Sequence, residues 1–109
     1  MSGTFVIEKT ADQFRFNLRA GNNEVILTSE QYVARTGVEN GIESVRKNAP
    51  DDGRYDRLTA KNGNPYFVLK ARNGEVIGVS EMYSSTSAME NGIASVKTNA
   101  PTAKVVDRT

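Results

Sequence analysis

The sequence predicts an α+β domain: two tandem β3α repeats forming one antiparallel sheet, with two helices packed on one face and a pseudo-two-fold axis between the repeats. Three observations carry this. Residues 16–50 and 67–101 align without a gap at a spacing of 51, and 19 of the 35 positions are identical. Each copy opens with apolar residues at strand period and closes with apolar residues at helical period. A chain of 109 residues is one domain's worth, and two copies are fewer than the roughly three that a solenoid needs.

Taken in order, Thr4–Lys9 is a short β-favouring run, weakly echoed at Tyr55–Ala60 one residue out of step with the main repeat. Phe14, Phe16, Leu18 and Ala20 then alternate with Arg15, Asn17 and Arg19, the pattern of a strand with one buried face. Phe67, Leu69 and Ala71 repeat it behind Asn64-Pro65. Proline donates no ladder hydrogen bond, so Pro65 belongs at a strand start or on an edge. Asn22-Asn23 and Asn73-Gly74 tolerate positive φ and predict tight two-residue hairpin turns. The returning strands are Glu24–Glu30 and Glu75–Glu81, giving three strands per repeat and a six-stranded sheet.

The helices follow. Thr36-Gly37-Val38-Glu39 and Ser87-Ala88-Met89-Glu90 both spell a capping box, in which the hydroxyl accepts from a first-turn N–H and the glutamate reaches back. Val38, Ile42, Val45 and Ala49 share one helical face, as do Met89, Ile93, Val96 and Ala100. Arg46, Lys47 and Lys97 sit near the negative helix ends, and Pro50 and Pro101 stop the helices. Gly41 and Gly92 lie inside them, where glycine costs roughly 1 kcal/mol relative to alanine. Close approach of a neighbouring element is the expected reason, and a ligand approaching the backbone is the alternative.

These elements make residues 1–109 a single domain, with repeat one over about 4–50, repeat two over about 55–101 and a short C-terminal tail over 102–109. The join Asp51-Asp52-Gly53-Arg54 is too short for a flexible tether, so the halves should fold as one body.

Composition narrows the chemistry. Fourteen basic and 13 acidic side chains leave a net charge of +1. That is no basic field for sequence-independent nucleic-acid binding, nor an electrostatic membrane anchor. Without cysteine or histidine, the chain alone can build no disulfide, thiolate nucleophile, His-based triad or Cys/His zinc site. Met1-Ser2-Gly3-Thr4 lacks a signal-peptide layout and no apolar run approaches membrane-spanning length. A cytoplasmic protein is expected, and the lack of cysteine fits a reducing compartment. Neither phosphate-binding glycine pattern is present, and Asp51, Asp52 and Asp56 lack the oxygen spacing of a calcium loop. No metal or cofactor is expected.

The repeat pattern F-x-L-x-A…N-G-E-V-I…S-E-x-Y…E-N-G-I-x-S-V-x-x-N-A resembles the YegP-like family of small bacterial proteins, from about Phe5 to Pro101. The resemblance implies the three-strand-plus-helix unit used twice in one antiparallel sheet, with the C-terminal helices exchanged between units. It also implies that single-copy members make the same body by dimerising. It brings no established catalytic residue. Asn23 departs from the family pattern, standing where the turn usually has glycine. Gly78 and Pro65 interrupt apolar positions of the second copy.

Two sets of residues are candidates for function. Ser29, Glu30 and Tyr32, repeated as Ser80, Glu81 and Tyr83, lie between the last strand and the helix, where exposed loops gather functional side chains. They would serve as a ligand site, or in acid–base or nucleophilic work if a pKa were shifted. The bland reading has the tyrosine rings sealing the core edge while Ser and Glu bond backbone. Arg15, Arg19, Lys70 and Tyr66 decorate the helix-free face and form the candidate partner surface. Glu39 and Glu43 read as surface charge. Ser44 and Ser95, with Asn40, Asn91, Asn48 and Asn99, read as an internally bonded helix flank. The expectation is a monomeric, non-enzymatic binding or interaction module with internal pseudo-dimer symmetry, whose partner is a protein or small molecule. The alternative is a small enzyme or metabolite-binding protein using the duplicated loops. Nucleic-acid binding through the open face comes third and membrane association is not expected.

Overall fold

The computed structural model describes residues 3–109; Met1 and Ser2, part of the stretch read for a signal peptide, lie outside the described residues. The elements are β1 (Thr4–Thr10), β2 (Gln13–Arg19), β3 (Val25–Thr28), α1 (Arg35–Asn48), β4 (Tyr55–Thr59), β5 (Pro65–Lys70), β6 (Val76–Val79), α2 (Thr86–Asn99) and β7 (Lys104–Asp107). They form one sheet in the order β4-β5-β6-β3-β2-β1-β7. No helix among the described residues is long and apolar enough to cross a membrane.

The six expected strands are present, and the weak echo between β1 and β4 is real. Phe5 pairs with Leu18, and Tyr55 with the repeat-equivalent Leu69. The seventh strand corrects the reading of residues 102–109 as a tail. Lys104–Asp107 lies parallel to β1, so the sheet is mixed rather than wholly antiparallel. The sequence hint was the β-branched pair Val105-Val106, but its partner strand lies about a hundred residues away.

The hairpins also differ from expectation. Ala20 N–H bonds the Glu24 carbonyl and Ala71 N–H the Glu75 carbonyl, so each loop has three residues, with Asn23 and Gly74 at positive φ. The register then slips between Leu18 and Arg19 and between Leu69 and Lys70, as a turn ending in a bulge requires. Asn22 and Asn73 accept from the N–H two residues on, which is why asparagine stands at the middle of both loops. Pro65 opens β5, as expected.

Both helices bury the predicted faces, but the capping boxes are misplaced. α1 starts at Arg35 after Ala34, with no side-chain cap. α2 starts at Thr86, and Ser85 Oγ accepts from Ala88 N–H. The chain enters each helix about two residues before the box, which leaves Glu39 and Glu90 free for other contacts.

Each helix crosses the seam between repeats. α1 packs on β2 and on β5 and β6, and α2 on β5 and β3. Phe5, Phe16, Leu18, Phe67 and Leu69 fill the space beneath them with no exposed surface. At the seam between the repeats β3 and β6 join through Thr28 and Val79. Gly78 is explained there: a Cβ built on it would stand 2.6 Å from the Leu27 side chain. Equivalent residues face each other across a two-fold seam, so two leucines cannot share that space.

Candidate functional site

The duplicated loops are built almost identically. Ser29 Oγ accepts from Phe16 N–H at 2.9 Å and donates to the Glu30 carbonyl at 2.7 Å. Ser80 Oγ does the same with Phe67 N–H at 3.0 Å and the Glu81 carbonyl at 2.7 Å. Both hydroxyls therefore hold backbone where the chain leaves the sheet. Replacing Ser80 with alanine would leave a buried N–H without a partner; a loss of about 1–3 kcal/mol in urea unfolding is expected.

Tyr32 stacks on Phe16 with centroids 6.4 Å apart, and Tyr83 on Phe67 at 6.3 Å. The rings continue over the two helix glycines. A Cβ on Gly41 would lie 2.6 Å from the Tyr32 hydroxyl oxygen, and one on Gly92 closer still to that of Tyr83. Close packing, not a ligand, accounts for glycine in these helical turns.

Burial is the first cause raising both phenols above the usual tyrosine value; Glu30 and Glu75 add to it at Tyr32, and Glu81 and Glu24 at Tyr83. At neutral pH each hydroxyl keeps its proton and can donate. Among the described residues neither has a hydrogen-bond partner, so Tyr32→Phe and Tyr83→Phe should each change unfolding stability by less than about 0.5 kcal/mol.

Glu24 and Tyr83 belong to different repeats. With Asn22, Asn91 and Ser95 they border a cleft of about 260 Å³ across the seam. Asn48 and Asn99 donate back to Ser44 and Ser95 within their own helices, as the flank reading expects.

On the helix-free face a single row of side chains crosses the whole sheet. Asp56, Val68, Val79, Thr28, Asn17, Val6 and Val106 are consecutive cross-strand partners. The candidate basic residues flank this row with their charges or donors engaged. Arg15 pairs with Glu8 at 3.6 Å, Lys70 with Asp56 at 2.5 Å, and Arg19 Nε donates to Asn17 Oδ1 at 2.9 Å. Tyr66 is the cross-strand partner of Leu58, which is 38% exposed. The structure thus brings the candidate residues onto one face but leaves little free positive charge there.

Sequence reasoning missed a charge cluster at the β4 edge. Arg57 reaches the Glu90 carboxylate at 2.6 Å through Nε and 3.1 Å through a terminal nitrogen, which also bonds Asp52 at 3.1 Å. Lys97 joins Asp52 at 2.7 Å. The Lys97 bond first, then Arg57, holds the Asp52 carboxyl below the usual range; the Arg57 bond does the same for Glu90. Asp51, considered beside Asp52 and Asp56 as a metal ligand, accepts instead from Gly53 N–H. The available signal was Arg57 itself, a charge standing where β1 has Ile7.

A family model described as a domain of unknown function (DUF1508) matches the chain twice, over residues 10–56 and 60–107. A UPF0339 protein of Bordetella pertussis is 60% identical over 109 residues, covering all of this chain and 98% of the relative. The UPF0339 protein YegP of Escherichia coli K12 is 52% identical, with 100% of both chains covered. Among solved structures, the solution NMR structure of a UPF0339 protein from Shewanella oneidensis has a TM-score of 0.92 at 53% identity, over 98% of this chain and 92% of that one. The NMR structure of yegP from E. coli, described as a protein of unknown function, has a TM-score of 0.94 at 52% identity, over 100% and 95%. None of these descriptions names an activity. With two tandem domain matches and full-length relatives at more than half identity, the chain belongs to the UPF0339 family, to which YegP also belongs.

Proposed function

We propose that the protein is a non-enzymatic cytoplasmic interaction module, acting as a monomer, whose partner is another protein held on the helix-free face of the sheet. One observation supports this most: the repeats share many of their core side chains but differ at six equivalent pairs of positions on that face. Phe16/Phe67, Leu18/Leu69, Ile42/Ile93 and Val45/Val96 are identical pairs. Val6/Asp56, Glu8/Leu58, Arg15/Tyr66, Asn17/Val68, Arg19/Lys70 and Thr28/Val79 all differ. The second half of the face thereby gains Leu58, Tyr66, Val68 and Val79, an apolar strip bordered by the Lys70–Asp56 pair. An apolar centre with a polar rim is the usual anatomy of a protein interface.

The rival readings have less behind them. Ser29 and Ser80 already donate to backbone carbonyls, so the duplicated loops offer no activated nucleophile. The pairing of Arg15 and Lys70 withdraws charge that nucleic acid would use. The cleft beside Tyr83 favours a small-molecule ligand as the second reading.

Affinity capture from native lysate tests the proposal, using the wild type, Leu58→Glu/Val79→Lys and Tyr83→Phe. A companion protein retained by the wild type and Tyr83→Phe but lost by the face variant is expected. A companion indifferent to the face variant, or a nucleic acid whose retention collapses with salt, would overturn it.

A further inference from the structure

On the helix side of the sheet, the second repeat holds a template for the first. Ile7 pairs with Phe16 and Arg57 with Phe67, so Ile7 and Arg57 occupy equivalent positions. Glu39 and Glu90 are equivalent in the helices, as are Ile42 and Ile93. In repeat two, the Arg57 guanidinium spans from strand to helix and grips the Glu90 carboxylate with two nitrogens.

Repeat one has isoleucine in place of that arginine and a groove where its head would lie. Val105, with the edges of the largely buried Ile7 and Ile42, forms the apolar floor; Glu39, Glu43 and Asp107 form the rim, around about 370 Å³. Glu43 is paired with Arg46, and Asp107 with Arg35. Among the described residues Glu39 has no ion-pair or side-chain hydrogen-bond partner, although its counterpart Glu90 holds a guanidinium. Val105 is 46% exposed. The groove belongs to repeat one alone, because β7 supplies its outer wall and no strand lies outside β4.

An apolar floor beside an unpaired carboxylate complements one side chain best. Arginine lays an aliphatic stem on apolar surface and presents a planar fork to a carboxylate, whereas lysine offers only a point charge. We propose that the groove between α1 and β7 docks an arginine side chain of a partner protein, its stem on Ile7, Ile42 and Val105 and its guanidinium on Glu39. The pairing of Arg57 with Glu90 is the same contact made within the chain. The site lies on the opposite side of the sheet from the Leu58–Val79 strip and stands or falls separately.

Amide chemical-shift titration of the full chain with the capped tripeptide acetyl-Ala-Arg-Ala-amide tests this, with the lysyl tripeptide and free L-arginine as further arms. Saturable shifts at Glu39, Ile42 and Val105 are expected. Affinity should fall at least about threefold for the lysyl peptide and about tenfold with Glu39→Gln, an exposed change that leaves the core intact. Ile7→Arg should fill the groove from within and abolish the shifts. If that variant does not fold, Glu39→Gln carries the test. The sheet-face variant Leu58→Glu/Val79→Lys should bind the peptide as the wild type does. No saturable shift at these residues, equal binding of the lysyl peptide, or indifference to Glu39→Gln would overturn the proposal. So would free L-arginine binding more tightly than the peptide, which would assign the groove to a small molecule.

Discussion

Replacing Ile42 with alanine is expected to cost about 2–5 kcal/mol, and Ile93→Ala about the same. Each isoleucine is 2% exposed and sits mid-helix under the packed face. Deleting its branched side chain removes transfer free energy and leaves a cavity that rigid neighbours fill only in part. The effect should be global. α1 and α2 both cross the seam, so loosening one helix strips cover from strands of both repeats. Urea unfolding should show one transition with a lower midpoint and an unchanged slope. A loss below about 0.5 kcal/mol would remove Ile42 from the core, and two separated transitions would show that the repeats fold independently. Against a typical total of about 5–15 kcal/mol, the expected loss threatens folding at physiological temperature.

Gly78→Leu is expected to destabilise by about 1–3 kcal/mol or more through overpacking. Its Cβ would meet Leu27 at 2.6 Å before any longer atom was placed. Leu27→Gly should also be costly, because it empties the same space from the other side. The double variant Leu27→Gly/Gly78→Leu moves the leucine to the symmetry-related position and should recover much of the loss. A double-mutant cycle reads the coupling directly, and more than about 1 kcal/mol is expected. Additive losses would mean that the two positions do not compete for one volume.

That seam shows where sequence reading reached its limit. Pattern within each repeat gave the strands, the buried helix faces and the stop at proline, because those signals are local and each copy repeats them. Gly78 looked like a flaw in the second copy, since its cause is Leu27 of the first. The start of α2 was misread for a more local reason. Ser84-Ser85-Thr86-Ser87 offers several hydroxyls in a row, and the entering chain lets Ser85 cap before Ser87 can. β7 escaped notice because four residues, with Val105 exposed and Val106 half-buried, carry little periodicity, and only their pairing with β1 makes them a strand. At the candidate site, the loops and the sheet face were legible as places. Their electrostatics were not: whether Arg15 or Lys70 is free depends on Glu8 and Asp56 across the register.

The parallel pairing of β7 with β1 also governs how the molecule would bear a mechanical load. Thr4 begins one strand, Asp107 ends the other, and the two run the same way side by side. Tension applied through the chain ends therefore slides the strands along each other and loads their hydrogen bonds together. An antiparallel terminal pair pulled from one end would instead unzip, one bond after another. Because forced unfolding follows the unfolding barrier rather than equilibrium stability, this short strand should set the rupture force of the whole domain.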